Sequence, residues 1–245
     1  MIHVEAAMVL AAGYGTRMRP LTNALPKPLL PLGGRALLDH ALDRLREAGV
    51  ARVAVNAHWQ AGRIAEHLAM RRDHGDEPRT VLFEETSLLD TGGSVRTALP
   101  WLGASPFYVV NGDAFWLDGT RPALVRLAQA WDDDVDAVLL LHRTFQVRAE
   151  VGPGDFFLDP WGRPRRRGVR EIAPYVYAGV QLAHPCLLDD SPDGPFSLNL
   201  CWDRAIEAGR LRAVVHDGLW FHLSTPADLS EAESLLFTAA TVTTR

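Results

Sequence analysis

The run Leu10-Ala11-Ala12-Gly13-Tyr14-Gly15-Thr16-Arg17-Met18 sets two glycines directly after an apolar stretch. Glycines at such a place let backbone N–H groups approach phosphate oxygens, and Arg17 adds a planar fork of donors suited to the same oxygens. The spacing excludes two commoner phosphate loops. A dinucleotide fingerprint needs a third glycine where Met18 stands, and a P-loop needs Gly-Lys followed by Ser or Thr, which the chain lacks. On the glycines alone, a tight strand-to-helix turn with an exposed arginine stays open. A second cation is set apart by composition: Lys27 is the only lysine among 25 basic residues, and it lies in a Gly/Pro-rich loop. The third group is Asp113, which follows Asn111-Gly112 at the end of an apolar run. A carboxylate there projects at the C-terminal edge of a sheet, where ligands gather in open α/β folds, and suits Mg²⁺, which favours carboxylates together with substrate phosphates. An aspartate serving only a turn is the alternative.

The continuation Arg17-Met18-Arg19-Pro20-Leu21-Thr22, then Pro26-Lys27-Pro28-Leu29, resembles the sugar-phosphate nucleotidyltransferases. The resemblance runs on through Leu89-Asp90-Thr91-Gly92-Gly93, Val110-Asn111-Gly112-Asp113, Tyr177-Ala178-Gly179-Val180 and the segment from Trp220 to Glu233, so it covers nearly the whole chain. Segment order and the absence of a β-helix extension are most similar to the N-acetylmuramate 1-phosphate uridylyltransferases. The resemblance implies attack of a sugar 1-phosphate on the α-phosphorus of a nucleoside triphosphate, with pyrophosphate leaving. Arg17 would hold the β- and γ-phosphates, and Lys27 would bridge the α-phosphate and the sugar phosphate. Ala11, Ala12, Gly13, Gly15, Thr16 and Asn111 would surround the nucleotide. Asp113 would bind Mg²⁺, with Mn²⁺ an alternative. Glu85 would accept from the base, a solvated surface acid being the competing reading, and Gly92 would meet the base or ribose through its backbone. On the sugar side the expected residues are Glu150, Gly179 and Asn199, with Arg143, Arg148 and the run Arg165-Arg166-Arg167 available to a carboxylate, a solvated loop being the competing reading of the run.

One position departs from the family pattern. Relatives carry W-x-D-[VI]-G-T with the aspartate on the metal, and this chain has Trp220-Phe221-His222-Leu223-Ser224-Thr225. Three readings of His222 stand: a metal ligand, a contact to phosphate or to the metal through water, or packing in a retired site. The last keeps a non-catalytic nucleotide-binding module beside the enzyme. Within the enzyme class, a guanylyl- or thymidylyltransferase acting on mannose, heptose or glucose 1-phosphate is the other candidate.

These groups need a frame. Short Val/Leu/Ile-rich runs alternate with helical patterns, the signature of βαβ units, and predict an α/β Rossmann-like fold with a mixed, mainly parallel sheet and helices on both faces, GT-A-like. Strands are expected at 7–11, 52–56, 80–83, 107–110, 135–142 and 175–182, with two short ones around 211–223. Helices are expected at 36–48, 60–70, 94–99, 121–131, 199–208 and 226–237. The stretches 13–34 and 152–174 read as irregular. The whole of 1–245 reads as one nucleotidyltransferase domain, nucleotide-binding in its N-terminal part and sugar-phosphate-binding in its C-terminal part.

Composition bounds the partners. A net charge of −5 argues against a protein built to grip nucleic acid, and no apolar run approaches membrane-spanning length. The two cysteines, Cys186 and Cys201, have no metal-ligand spacing, and the short apolar run near the N-terminus lacks the features of a signal peptide. The expectation is a cytoplasmic protein, monomer or dimer, acting on small molecules.

Overall fold

A computed structural model describes residues 2–243, with side chains through Phe237. Met1, Thr244 and Arg245 of the expected single domain lie outside the described residues. In chain order the elements are β1 (Ala6–Leu10), β2 (Pro31–Leu32), β3 (Arg35–Ala36), α1 (Leu37–Glu47), β4 (Arg52–Ala57), α2 (Ala61–Asp73), β5 (Arg79–Glu84), α3 (Asp90–Leu102), β6 (Phe107–Asn111) and β7 (Phe115–Leu117). They continue with α4 (Ala123–Gln129), β8 (Ala137–Arg143), β9 (Phe156–Leu158), β10 (Pro164–Arg166), β11 (Tyr175–Ala183), α5 (Leu198–Glu207), β12 (Leu211–Val215), β13 (Leu219–Phe221) and α6 (Pro226–Thr243).

Nine strands form one mixed sheet, ordered β10-β9-β11-β6-β1-β4-β5, with β8 pairing β11 and β12. The half built from β6, β1, β4 and β5 is parallel, β11 runs antiparallel to β6 and β8, and β12 is parallel to β8. This is the mainly parallel α/β sheet that the alternating pattern predicts. Strand β1 shows why its sequence is apolar at nearly every position: Ala7 and Val9 enter one core with Leu38, Leu42, Ile64 and Leu124, while Ala6 and Met8 enter another with Val95, Leu102 and Trp202. A strand covered on both faces cannot alternate apolar with polar. Helices α1, α2 and α4 thus cover one face, and α3 and α5 the other.

The differences from expectation have local causes. Helix α3 begins at Asp90, so Gly92 and Gly93 lie inside it; their amides donate to the Phe196 carbonyl (2.8 and 3.2 Å), and a Cβ on Gly92 would stand 2.2 Å from the Phe196 ring. Those glycines permit close packing of the loop before α5. The stretch 152–174 contains the β9–β10 hairpin, too short to carry a periodic signal. Strand β7 pairs β13, and β2 pairs β3. The stretch 13–34 is held by three 3-10 turns and by a third core in which Met18, Leu30 and Leu32 meet Phe115, Leu223 and Leu229.

Candidate active site

Register puts the C-terminal ends of the parallel strands side by side. Leu10 is level with Asn56 on β4 and Asn111 on β6, and Ala57 with Glu84 on β5. The residues that follow those ends line a cavity of about 580 Å³, among them Ala11, Ala12, Gly13, Gly15, Thr16, Arg17, Lys27, Glu85, Asn111 and Asp113. A switch in strand order about β1, with β4 on one side and β6 on the other, opens a crevice at this edge.

The glycine loop is fixed from within. Gly15 has φ +60°, a left-handed conformation costly for other residues, and a Cβ there would stand 2.9 Å from Thr22 Cγ2. Its carbonyl accepts from Thr22 Oγ1 (2.8 Å) and from the Met18 amide (2.9 Å). Met18 is buried in the third core, which leaves its neighbour Arg17 turned to solvent. Among the described residues the Arg17 guanidinium has no hydrogen-bond or ion-pair partner, so its fork is free for an incoming anion.

Lys27 is ion-paired with Asp113, its side chain 12% exposed and that of Asp113 38%. Gly112, between Asn111 and Asp113, brings its amide to the Leu10 carbonyl (2.8 Å) and so presses the Asp113 turn against the first loop. The pair therefore joins two segments that the chain separates by the whole first half of the sheet.

Beneath the loop lies a buried polar network. The Ala11 amide donates to Asn56 Oδ1 (2.7 Å), Asn56 Nδ2 donates to Glu85 Oε1 (2.7 Å), and Ser94 Oγ lies 2.6 Å from that same oxygen. Glu85 Oε2 accepts from the Leu89 amide (3.1 Å). Glu85 is buried, which overturns its reading as a solvated surface acid. Asn56 escaped the motif reading, although a polar residue closing the apolar run Val53-Ala54-Val55 was its signal.

Other expected residues fall elsewhere. Gly92 does not border the cavity, and its amide is occupied by Phe196, so its expected contact with the nucleotide is corrected to a packing role. Gly179 lies where the β11–β8 pairing shifts register, and its absent side chain leaves room for Asn111 and Ala114; it borders none of the described cavities. Glu150 is exposed on the loop after β8 and likewise borders none of them. Asn199 lines a neighbouring cavity of about 270 Å³, which shares Asp90, Thr91 and Asn111 with the larger one.

His222 lines a third cavity, of about 550 Å³, between β13, α6 and the segment 146–149. Burial lowers its pKa; Asp228 and Asp113 pull it upward, and Arg17 and Lys27 push it down. The imidazole is thus close enough to feel the whole Arg17–Lys27–Asp113 group. The segment around it is set by the start of α6, where Asp228 Oδ2 accepts from the amides of Ser224 (2.9 Å) and Thr225 (2.7 Å) while Thr225 Oγ1 accepts from the Asp228 amide (3.3 Å). Trp220 Nε1 ties β13 to the Ala178 carbonyl (2.9 Å). No cluster of three or more His, Cys, Asp or Glu side chains forms a metal cage among the described residues.

A lysine–aspartate ion pair, an unpartnered arginine fork and a glycine loop at the carboxyl edge of a mixed sheet define a nucleotidyltransferase class of site. Residues 7–193 match the MobA-like NTP transferase domain, and the chain belongs to that family. More narrowly, it is similar to N-acetylmuramate alpha-1-phosphate uridylyltransferase of Caulobacter vibrioides, 43% identical over 95% of this chain and 97% of that one. It is also similar to the enzyme of the same name from Neisseria meningitidis, 32% identical over 94% and 97% of the two chains. The fold matches that of the inositol-1-phosphate CTP transferase from T. maritima with a TM-score of 0.76 at 20% identity, covering 95% of this chain and 96% of the other. None of the described helices is long and apolar enough to cross a membrane.

Proposed function

We propose that this chain transfers the uridylyl group of UTP to N-acetylmuramate 1-phosphate, forming the nucleotide sugar and releasing pyrophosphate. The observation that carries the reading is the end-to-end similarity to two uridylyltransferases of that specificity, in a chain that places Arg17, Lys27 and Asp113 around one cavity. In the reaction a sugar-phosphate oxygen forms a bond to the α-phosphorus as the bond from that phosphorus to the bridging oxygen breaks. The attacking phosphate is already anionic, so the site needs alignment and charge neutralisation rather than a base. Lys27, held by Asp113, bridges the α-phosphate and the sugar phosphate in this reading. Arg17 is free to take the β- and γ-phosphates as charge builds on the leaving group.

The loop amides of Ala12, Gly13, Gly15 and Thr16, without partners among the described residues, surround the ribose and phosphates; that of Ala11 is taken by Asn56. Glu85 Oε2 keeps an acceptor position for the N3–H of uracil. Asn199, which lines the adjoining cavity, is assigned to the sugar-phosphate side. The donor set fits a divalent cation held mainly by substrate: one partly exposed carboxylate, Asp113, and His222, whose lowered pKa leaves its imidazole neutral near pH 7. Mg²⁺, or Mn²⁺ in its place, would neutralise phosphate charge when bound. We further assign the protein to the cytoplasm, to peptidoglycan recycling, and to action as one domain over 1–245, without nucleic acid or membrane as partners, as monomer or dimer.

The test is pyrophosphate release from UTP, GTP, dTTP, CTP and ATP against a panel of sugar 1-phosphates, with Mg²⁺ and separately Mn²⁺. Turnover confined to UTP with N-acetylmuramate 1-phosphate is expected. Turnover with another pair reassigns the substrates, and nucleotide binding without turnover by any pair makes the chain a binding module.

A further inference from the structure

Five arginines by sequence could meet an acidic group on the sugar, and the structure separates them. Arg148 lies 3.7 Å from Glu231 beside the His222 cavity. Arg165 forks onto Glu171 (2.8 and 3.1 Å), Arg167 donates to the carbonyls of Gly154 (2.8 Å) and Gly168 (3.3 Å), and Arg143 borders none of the described cavities. Arg166 alone of the five lines the 270 Å³ cavity that opens onto the nucleotide site through Asp90, Thr91 and Asn111.

Its guanidinium is held in place before any ligand arrives. Nε donates to Asp203 Oδ1 (2.7 Å) and Nη2 to Asn199 Oδ1 (2.8 Å), while the plane lies over Phe156 at 4.7 Å and Trp202 at 5.6 Å from the ring centres. Nη1 has no hydrogen-bond partner among the described residues. Asn199, expected to bind sugar hydroxyls, instead gives its carbonyl oxygen to this arginine. The other charged groups bordering this cavity or touching Arg166 are the carboxylates Asp90, Asp155 and Asp203. Arg166 is thus the one cationic group in the lining of this cavity among the described residues, so an anionic substituent finds its charge-assisted donor there and repulsion at the carboxylates, whereas a neutral sugar is nearly indifferent to the arginine.

We propose that Arg166 is the residue that reads a carboxylate on the sugar and so sets the preference of this site for acidic over neutral sugar 1-phosphates. The proposal rests on the reading of the chain as a sugar-1-phosphate uridylyltransferase. A charge-assisted hydrogen bond from a pre-positioned guanidinium, lost where three carboxylates remain, removes attraction and leaves repulsion.

The experiment compares N-acetylmuramate 1-phosphate with N-acetylglucosamine 1-phosphate, which has the same ring without the lactyl ether and its carboxylate. The readout is the ratio of kcat/KM for the two sugars with UTP, in wild type, Arg166→Met and Arg166→Lys. Wild type is expected to favour the acidic sugar. Arg166→Met should lower the ratio roughly 10- to 100-fold, mostly through KM for the acidic sugar. Arg166→Lys, which keeps the charge but not the fork, should fall between. A ratio unchanged in every variant that folds overturns the proposal, as does an equal loss on both sugars, the mark of a merely structural arginine. If wild type turns over both sugars equally, the proposal falls while the uridylyltransferase reading stands. If wild type turns over neither, that reading falls and takes the proposal with it.

Discussion

The Lys27 ammonium and the Asp113 carboxylate meet across the edge of the sheet, one from a Pro-rich loop and the other from the turn after β6. Each holds the other where both reach the same cavity. Lys27→Ala should lower kcat for pyrophosphate release by roughly 10²–10³-fold, the scale seen when one donor to a developing charge is removed. Asp113→Asn should fall at least as far, since it loosens the lysine and removes a hard oxygen. Thermal unfolding of both variants should stay near wild type, because the pair is partly exposed. Turnover near wild type in either variant would sink the assignment.

His222 lines a cavity beside the Lys27–Asp113 pair, and its imidazole feels both Asp113 and Asp228. Chelation with EDTA should abolish turnover, with recovery on adding Mg²⁺ or Mn²⁺. His222→Asp supplies a second hard oxygen, so the Mg²⁺ concentration for half-maximal activity should fall several-fold, and by more than for Mn²⁺, which tolerates imidazole better. Metal titrations of the two forms decide this. Equal half-maxima would remove His222 from the metal's surroundings.

Asn56 links the phosphate loop to Glu85. Asn56→Ala leaves the buried Ala11 amide without its acceptor and removes a donor from the Glu85 carboxylate, for a loss of roughly 2–4 kcal/mol in unfolding free energy. The KM for UTP should rise with it, since the loop's anchor is gone. Urea denaturation and initial rates together test this, and a stable variant with an unchanged KM would contradict it.

Gly92→Ala separates packing from nucleotide contact. Its Cβ would sit 2.2 Å from the Phe196 ring and 2.9 Å from the Phe196 carbonyl, so α3 and the loop before α5 must part. A cost of roughly 1–3 kcal/mol or more is expected in calorimetry. A nucleotide-binding role alone would leave the melting temperature untouched.

Two buried histidines make stability depend on pH. His142 and His216 face each other with ring centres 5.9 Å apart, and neither Nδ1 has a hydrogen-bond partner among the described residues. Burial, then the neighbouring His216 and Arg143, lower His142 from 6.5 to about 4, and burial lowers His216 against the pull of two backbone carbonyls, Asp118 and Asp217. Below pH 6.5 the unfolded chain binds protons at these positions that the folded chain does not. Stability is therefore complete above that pH and declines as pH falls below it, by up to about 1.4 kcal/mol per pH unit for each ring, the His142 contribution running down to about pH 4. In denaturant titrations across this range His142→Leu should flatten the slope, and an unchanged slope would assign the acid sensitivity elsewhere.

What the sequence reveals depends on how local the cause is. Strands buried on both faces announce themselves as apolar runs, and the glycine loop, Lys27 and Asp113 stand out because their residue types have few other uses at such places. Gly92 misleads, since a glycine that opens a turn and a glycine that admits a ring from elsewhere in the chain look alike until Phe196 is in place. Asn56 is hidden for the same reason, and Arg166 shows in the sequence only as one of five candidate arginines, because what sets it apart is its partners on distant elements. Strand β7 is too short to carry a period, and its pairing with β13 is a long-range event.

That Lys27 is the only lysine gives the fold an unplanned convenience for the chemist. Reagents that acylate side-chain amines find a single Nζ in this chain, in the site itself, mostly shielded and clasped by Asp113. The rate at which that amine is labelled reports occupancy of the cavity without any engineered probe. The same scarcity means that turnover lost on acylation should track modification of this one side chain, which peptide mapping counts against initial rate.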